Sequence, residues 1–198
     1  MSVLESALGA LLERLARQGA RVAVVGGLAV SARTEPRFTR DADVCVAVGD
    51  DDEAESLVRS LQADGYRVLA LVEQQVAARI ATVRLASPEA VDEGVVLDLL
   101  FASSGIEREV VGSADEMELF DEIRAPIATV SSLIALKVLS RDDALRPQDR
   151  VDLVALVRLA SAGDLAETRR LLSLIDERGF GRGRDLAAHL DALIAEST

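Results

Sequence analysis

The run Val22-Ala-Val-Val-Gly26-Gly27, followed by Asp41-Ala-Asp43-Val-Cys-Val-Ala-Val48, decides how this chain is read. The first piece reads as a short buried strand that ends in a double-glycine turn, with a helix starting near Leu28. The second reads as a strand that begins at an acidic pair. Residues i and i+2 of a strand point to the same face, so Asp41 and Asp43 set two negative charges side by side. Further along, Val95-Val-Leu-Asp98-Leu-Leu-Phe101 reads as a third strand with a carboxylate among aliphatic side chains. An unpaired carboxylate in so apolar a run is costly to bury. A cation should compensate it, and three converging carboxylates point to a hard divalent ion such as Mg²⁺.

Around these pieces the hydrophobic pattern gives the remaining elements. Residues 2–18 carry Val3, Leu4, Leu8, Leu11, Leu12 and Leu15 at helical spacing. The acidic run Asp50-Asp-Asp-Glu53 precedes a helix over Ala54–Leu61 and reads as its N-terminal cap, where carboxylates favour the positive dipole end. Gly65 ends that helix. Tyr66–Ala70 and Arg79–Leu85 read as strands, and the second can form a hairpin with residues 95–101. After Pro126 the pattern is helical, at roughly 130–140, 148–160, 164–178 and 183–196, punctuated by Gly163 and by Gly179-Phe-Gly-Arg-Gly183. The expected fold is α+β, a mixed sheet with flanking helices followed by a C-terminal helical bundle. The expected division is 1–127 for the α/β core and 128–198 for the helical subdomain.

Composition removes several function classes. The chain has 198 residues, 49% hydrophobic and 28% charged, enough to build a large core. No apolar run approaches the ~20 residues of a membrane span, and the N-terminus has no secretory pattern, so a cytoplasmic location is expected. A net charge of −12 argues against general nucleic-acid binding. One histidine and one cysteine nearly exclude zinc sites and Ser-His-Asp chemistry. His189 reads as a structural or exposed helix residue and Cys45 as a small buried hydrophobe. The glycines fit neither the G-x-G-x-x-G dinucleotide fingerprint nor the P-loop pattern.

Phosphoryl and nucleotidyl transfer fits this layout, because it depends on positioning and on neutralising a triphosphate. In that reading Gly26 and Gly27 let the backbone and a helix N-terminus approach the phosphates. Arg33, Arg37 and Arg40 lie between the glycines and the acidic pair; they either meet phosphate oxygens or pair with Glu35 on a solvated loop.

The motifs Val24-Val-Gly-Gly-Leu-Ala-Val30 and Phe38-Thr-Arg-Asp-Ala-Asp43 resemble the nucleotidyltransferase superfamily with the polymerase-beta-like palm. Within it, the likeness is closest to abortive-infection toxins of the AbiEii and AbiGii type. The family's first motif is a hydrophobic-Gly-Gly/Ser turn followed by D-x-D, its third carboxylate lies on a later strand, as Asp98 does, and a later motif has a helical lysine, an arginine, a Lys-Asp pair and one more aspartate. Here Ile134-Ala-Leu-Lys137 is followed by Arg146-Pro-Gln148-Asp149-Arg-Val-Asp152. Gln148 stands where the family commonly has lysine.

Lys137 stands out on composition as well. It is the only lysine among 22 basic residues. A compact ammonium on a flexible stem suits a phosphate or the orienting of a carboxylate, although a lysine snorkelling from an amphipathic helix looks the same in sequence. Asp149 and Asp152 share a helix face and either support Lys137 or Arg146, or are acids of a helix N-terminus.

The expected function is a Mg²⁺-dependent, pyrophosphate-releasing nucleotidyltransferase using one or two ions. Asp41 and Asp43 bind the metal. Asp98 either completes a second metal site or deprotonates the acceptor. Gly26, Gly27, Arg40 and Lys137 contact the nucleotide, with Arg146, Asp149 and Asp152 behind them. The resemblance implies NTP as substrate, tRNA or a protein hydroxyl as acceptor, and a cognate antitoxin as partner. The alternatives are a small-molecule nucleotidyltransferase of the aminoglycoside type and a non-catalytic nucleotide- or partner-binding member of the fold.

Overall fold

The computed structural model describes residues 2–36, 39, 41–74, 78–90, 94–120, 123–141 and 147–197. Arg37, Arg40 and Arg146 lie outside the described residues.

Helix α1 (Val3–Arg17) opens on a Ser2–Glu5 capping box and buries Leu8, Leu11 and Leu15. Then come β1 (Arg21–Val25), α2 (Gly26–Arg33), β2 (Asp41–Ala47), α3 (Asp51–Ala63), β3 (Arg67–Gln74), β4 (Arg79–Ala86), β5 (Val96–Leu100), α4 (Glu107–Gly112), β6 (Asp115–Phe120) and β7 (Ile123–Ile127). The helices α5 (Val130–Ser140), α6 (Pro147–Leu159), α7 (Ala162–Glu177) and α8 (Leu186–Ser197) complete the chain. The seven strands form one mixed sheet in the order β3-β4-β5-β2-β1-β7-β6. The β2–β5 and β1–β7 pairs are parallel and the other four are antiparallel.

The acidic run caps α3 as expected: Asp50 accepts from the Glu53 N–H, with Asp51, Asp52 and Glu53 in the first turn. Asp51 goes further and accepts from Arg79 and from the Ile80 N–H, tying the helix to β4. The double glycine differs from the expected turn. Gly26 already opens α2, so strand and helix join with no intervening loop. Gly163 is likewise no break, since α7 starts from a Ser161–Asp164 capping box and runs through it.

The pattern gave no sign of α4, β6 or β7. β6 is Asp-Glu-Met-Glu-Leu-Phe, too acidic to resemble a buried strand. β7 contains Pro126, which has no N–H to donate. Its pairing with β1 therefore begins only at Val24↔Ile127, followed by the Ala128 N–H donating to the Val24 carbonyl.

Each face of the sheet is covered differently. Val22 of β1 lines a cleft with Gly9, Leu12 and Ala16 of α1, and Ile80 and Val83 of β4 line another with Val58 and Gln62 of α3. On the opposite face Cys45 reaches the Glu107 carbonyl of α4, and it is buried as expected. One hydrophobic cluster runs through the molecule from Leu8 to Leu193. At the end of the sheet, β3 is exposed over Arg67–Glu73, including Leu69, Leu71 and Val72. Its ladder with β4 slips in register between Val68 and Ala70 and again between Val72 and Glu73.

Candidate active site

Three ladders meet to build the site. Across them Arg84 pairs with Asp98, Asp98 with Asp43, and Asp43 with Val25. Cross-strand partners share a face, so this row places Arg84, Asp98 and Asp43 side by side on β4, β5 and β2. Asp41 lies two residues before Asp43 on the same face, exposed where Asp98 is buried.

Gly26 sits against this row. Its φ is +64°, a conformation that favours glycine. A Cβ there would stand 1.9 Å from Asp43 Oδ2 and 2.9 Å from Asp43 Cβ. A side chain would therefore drive Asp43 from its place. The N-terminus of α2 has no side-chain cap, so its N–H groups are left for another acceptor.

Crowding shows in the protonation of Asp43, whose pKa is raised from the usual 3.8 to about 6. Burial contributes most, followed by the negative charges of Asp98 and Asp41, while Lys137 and Arg84 act in the opposite sense.

The cation expected beside Asp98 is Arg84. Its Nε donates to Oδ1 at 2.9 Å and its Nη2 to Oδ2 at 2.7 Å, a bidentate fork. Sequence reasoning missed this residue. Nothing marks it among 21 arginines except its place in the alternation of β4, and the pairing needs the β4–β5 register.

A second charged group lies on α5 and α6, near enough for Lys137 to act on Asp43. Lys137 of α5 is buried, and its Nζ donates to Asp149 Oδ1 at 2.7 Å and reaches Asp152 Oδ2 at 2.8 Å, both on α6. Gln148 Nε2 donates to Asp152 Oδ1 at 3.1 Å. Asp149 Oδ2 is buried with no hydrogen-bond partner among the described residues. These contacts account for two of the three donors of the ammonium.

Arg33 is engaged by the backbone and by Asp115. Its Nε donates to the Ala128 carbonyl, and its Nη2 to the Ile127 carbonyl and to Asp115 Oδ2 at 2.7 Å. It fastens the end of α2 to β6 and β7, so it is committed to the scaffold and has no contact with Glu35 among those described. His189 is half-buried on α8.

In type and placement the donors suit a hard divalent ion: three carboxylates on one face, their mutual repulsion expressed at Asp43, and open backbone beside them at Gly26. Among the described residues, however, no three acidic, histidine or cysteine side chains are gathered tightly enough to hold a metal. Both Asp98 oxygens are bonded to Arg84 instead.

A family model described as nucleotidyl transferase AbiEii toxin, type IV TA system, matches residues 10–197. The chain belongs to this family. No curated protein matches it. Among solved structures, this AbiEii-family chain is similar to an antigenic nucleotidyltransferase-like protein from Paracoccidioides brasiliensis, with 18% identity over 96% of this chain and 92% of that one, at a TM-score of 0.53. It is also similar to the lincomycin-bound lincosamide antibiotic adenylyltransferase LnuA, with 14% identity over 79% of this chain and 98% of that one (TM-score 0.49). A third similar structure is the antibiotic-resistance factor ANT(2'')-Ia, with 17% identity over 96% and 89% of the two chains (TM-score 0.49). The first of these likenesses agrees with the mixed sheet and flanking helices of a nucleotidyltransferase fold. No helix among the described residues is long and apolar enough to cross a membrane.

Proposed function

We propose that this protein transfers a nucleotide from a Mg²⁺-bound NTP to an acceptor hydroxyl, releasing pyrophosphate. The observation that carries the reading is the register Asp43↔Asp98, with Asp41 on the same face and Gly26 against Asp43. Asp41 and Asp43 would hold the metal. When bound, the ion supplies positive charge for the phosphates and for the oxygens that attack and leave. Asp98 joins the metal or takes the proton of the acceptor hydroxyl.

The chain's own groups do the rest. The uncapped N–H groups at Gly26 and Gly27 point an anion-binding helix end toward the triphosphate. Lys137 adds positive charge from α5 and is fixed there by Asp149 and Asp152. Arg40 and Arg146 remain nucleotide and support candidates from their place in the sequence. In this reading residues 1–127 handle the nucleotide, and the helices of 128–198 contribute Lys137 and border the acceptor. Family membership supports an antitoxin as partner; a tRNA or protein hydroxyl as acceptor, and action in the cytoplasm, complete the proposal.

The test is incubation with each labelled NTP, Mg²⁺, total tRNA and cell extract. Label should appear in one class of acceptor, require Mg²⁺, and disappear with Asp43→Ala. Equal labelling by wild type and Asp43→Ala would overturn the reading.

A further inference from the structure

The row across β4, β5 and β2 contains one side chain that the proposed chemistry leaves unused, Arg84. We propose that Arg84 is a positioning residue that holds Asp98 back from the metal until the ion displaces it. The inference rests on the metal-dependent reading above and adds to it the order in which the carboxylates engage.

The geometry supports a displaceable partner rather than a permanent strut. The fork engages one N–H with each carboxylate oxygen, at 2.9 and 2.7 Å, so both oxygens already have a cationic donor. The two partners are unequally buried, with the Arg84 side chain 49% exposed and that of Asp98 10% exposed. Asp98 is fixed on a central strand, whereas the guanidinium stands half in water on a long stem. A half-solvated ion pair exchanges at modest cost, because water takes over the released arginine. Asp41 and Asp43 carry no such fork in the contacts described. They engage the ion first, and the third acid joins only when its arginine leaves. An ion seated at Asp41 and Asp43 would draw Asp98 and repel the guanidinium by the same charge.

The experiment measures Mn²⁺ uptake by nucleotide-free protein, reading free Mn²⁺ by electron paramagnetic resonance. Arg84→Gln should bind Mn²⁺ about tenfold more tightly than wild type, since Asp98 is then free. Arg84→Lys keeps the charge but loses the fork, and should tighten binding by less. Adding Asp98→Asn to Arg84→Gln should remove the gain. Thermal melts followed by circular dichroism verify that each variant is folded, and Arg84→Lys carries the test if Arg84→Gln is not. Unchanged or weaker binding in both Arg84 variants would overturn the proposal. So would a gain that survives Asp98→Asn, because loss of a nearby positive charge would then explain it. Failure of the metal reading looks different: no variant takes up Mn²⁺, or uptake is indifferent to Asp43→Asn.

Discussion

Two groups of acids meet a cation in this molecule, one on strands and one on helices. On the strands Asp41, Asp43 and Asp98 face one arginine that is half in solvent. On the helices Asp149 and Asp152 close on a buried lysine, with Gln148 donating to one of them. The strand group carries the larger excess of negative charge, which adds to burial, the larger cause, in raising the Asp43 pKa to about 6. The helix group is a closed arrangement that fixes α5 to α6. The difference separates a site with electrostatic demand left for a ligand from a site that has met most of its own.

That contrast yields measurable outcomes. The greatest loss is expected for Asp43→Ala: nucleotide transfer should fall by at least ~10³-fold with the fold intact, read as pyrophosphate release. Lys137→Ala comes next, because it leaves the buried Asp152 and the half-buried Asp149 without their cation. It should lower unfolding stability by about 3 kcal/mol in urea denaturation, and a small effect would show the helix group to be no closed unit.

Asp43→Asn should act in the opposite sense on stability. The folded pKa lies above the usual 3.8. The stabilisation linked to it is therefore complete below pH 3.8 and lost as pH rises through about 6. Without metal, the asparagine variant should be more stable than wild type by about 1–2 kcal/mol at pH 8, with the gap closing toward pH 4. A gap that grows on acidification would contradict the crowding of the three acids. Mg²⁺ affinity of the wild type should weaken over the same interval as Asp43 takes up its proton. The smallest effect belongs to Gln148→Ala, which removes one hydrogen bond to Asp152 and should cost about 1 kcal/mol in the same denaturation measurement.

Much of this architecture is readable without coordinates. The strands carrying Val24, Val44 and Leu97 are apolar runs, and α5 to α8 follow helical spacing closely enough for their limits to agree within a few residues. The missed elements are those whose chemistry resembles a loop. β6 is acidic, β7 contains a proline, and α4 is a six-residue helix. In the site, the acids and glycines announce themselves because few other roles combine those residue types. Arg84 does not, since its meaning comes from a partner 14 residues away, reached only when two strands fall into register. Arg33 shows the converse: a basic residue beside the right motif belongs to the scaffold because backbone carbonyls at the end of β7 and just beyond it reach it first.

The outermost strand has its own consequence. An open ribbon carrying Leu69, Leu71 and Val72 is where one copy of a protein recruits the next into a fibre. The two slips in the β3–β4 ladder coil that ribbon, so a second copy cannot match it along its full length. Colloidal solubility thus rests partly on an imperfection in the molecule's own weave, and regularising it would favour self-assembly before it changed anything at the carboxylates.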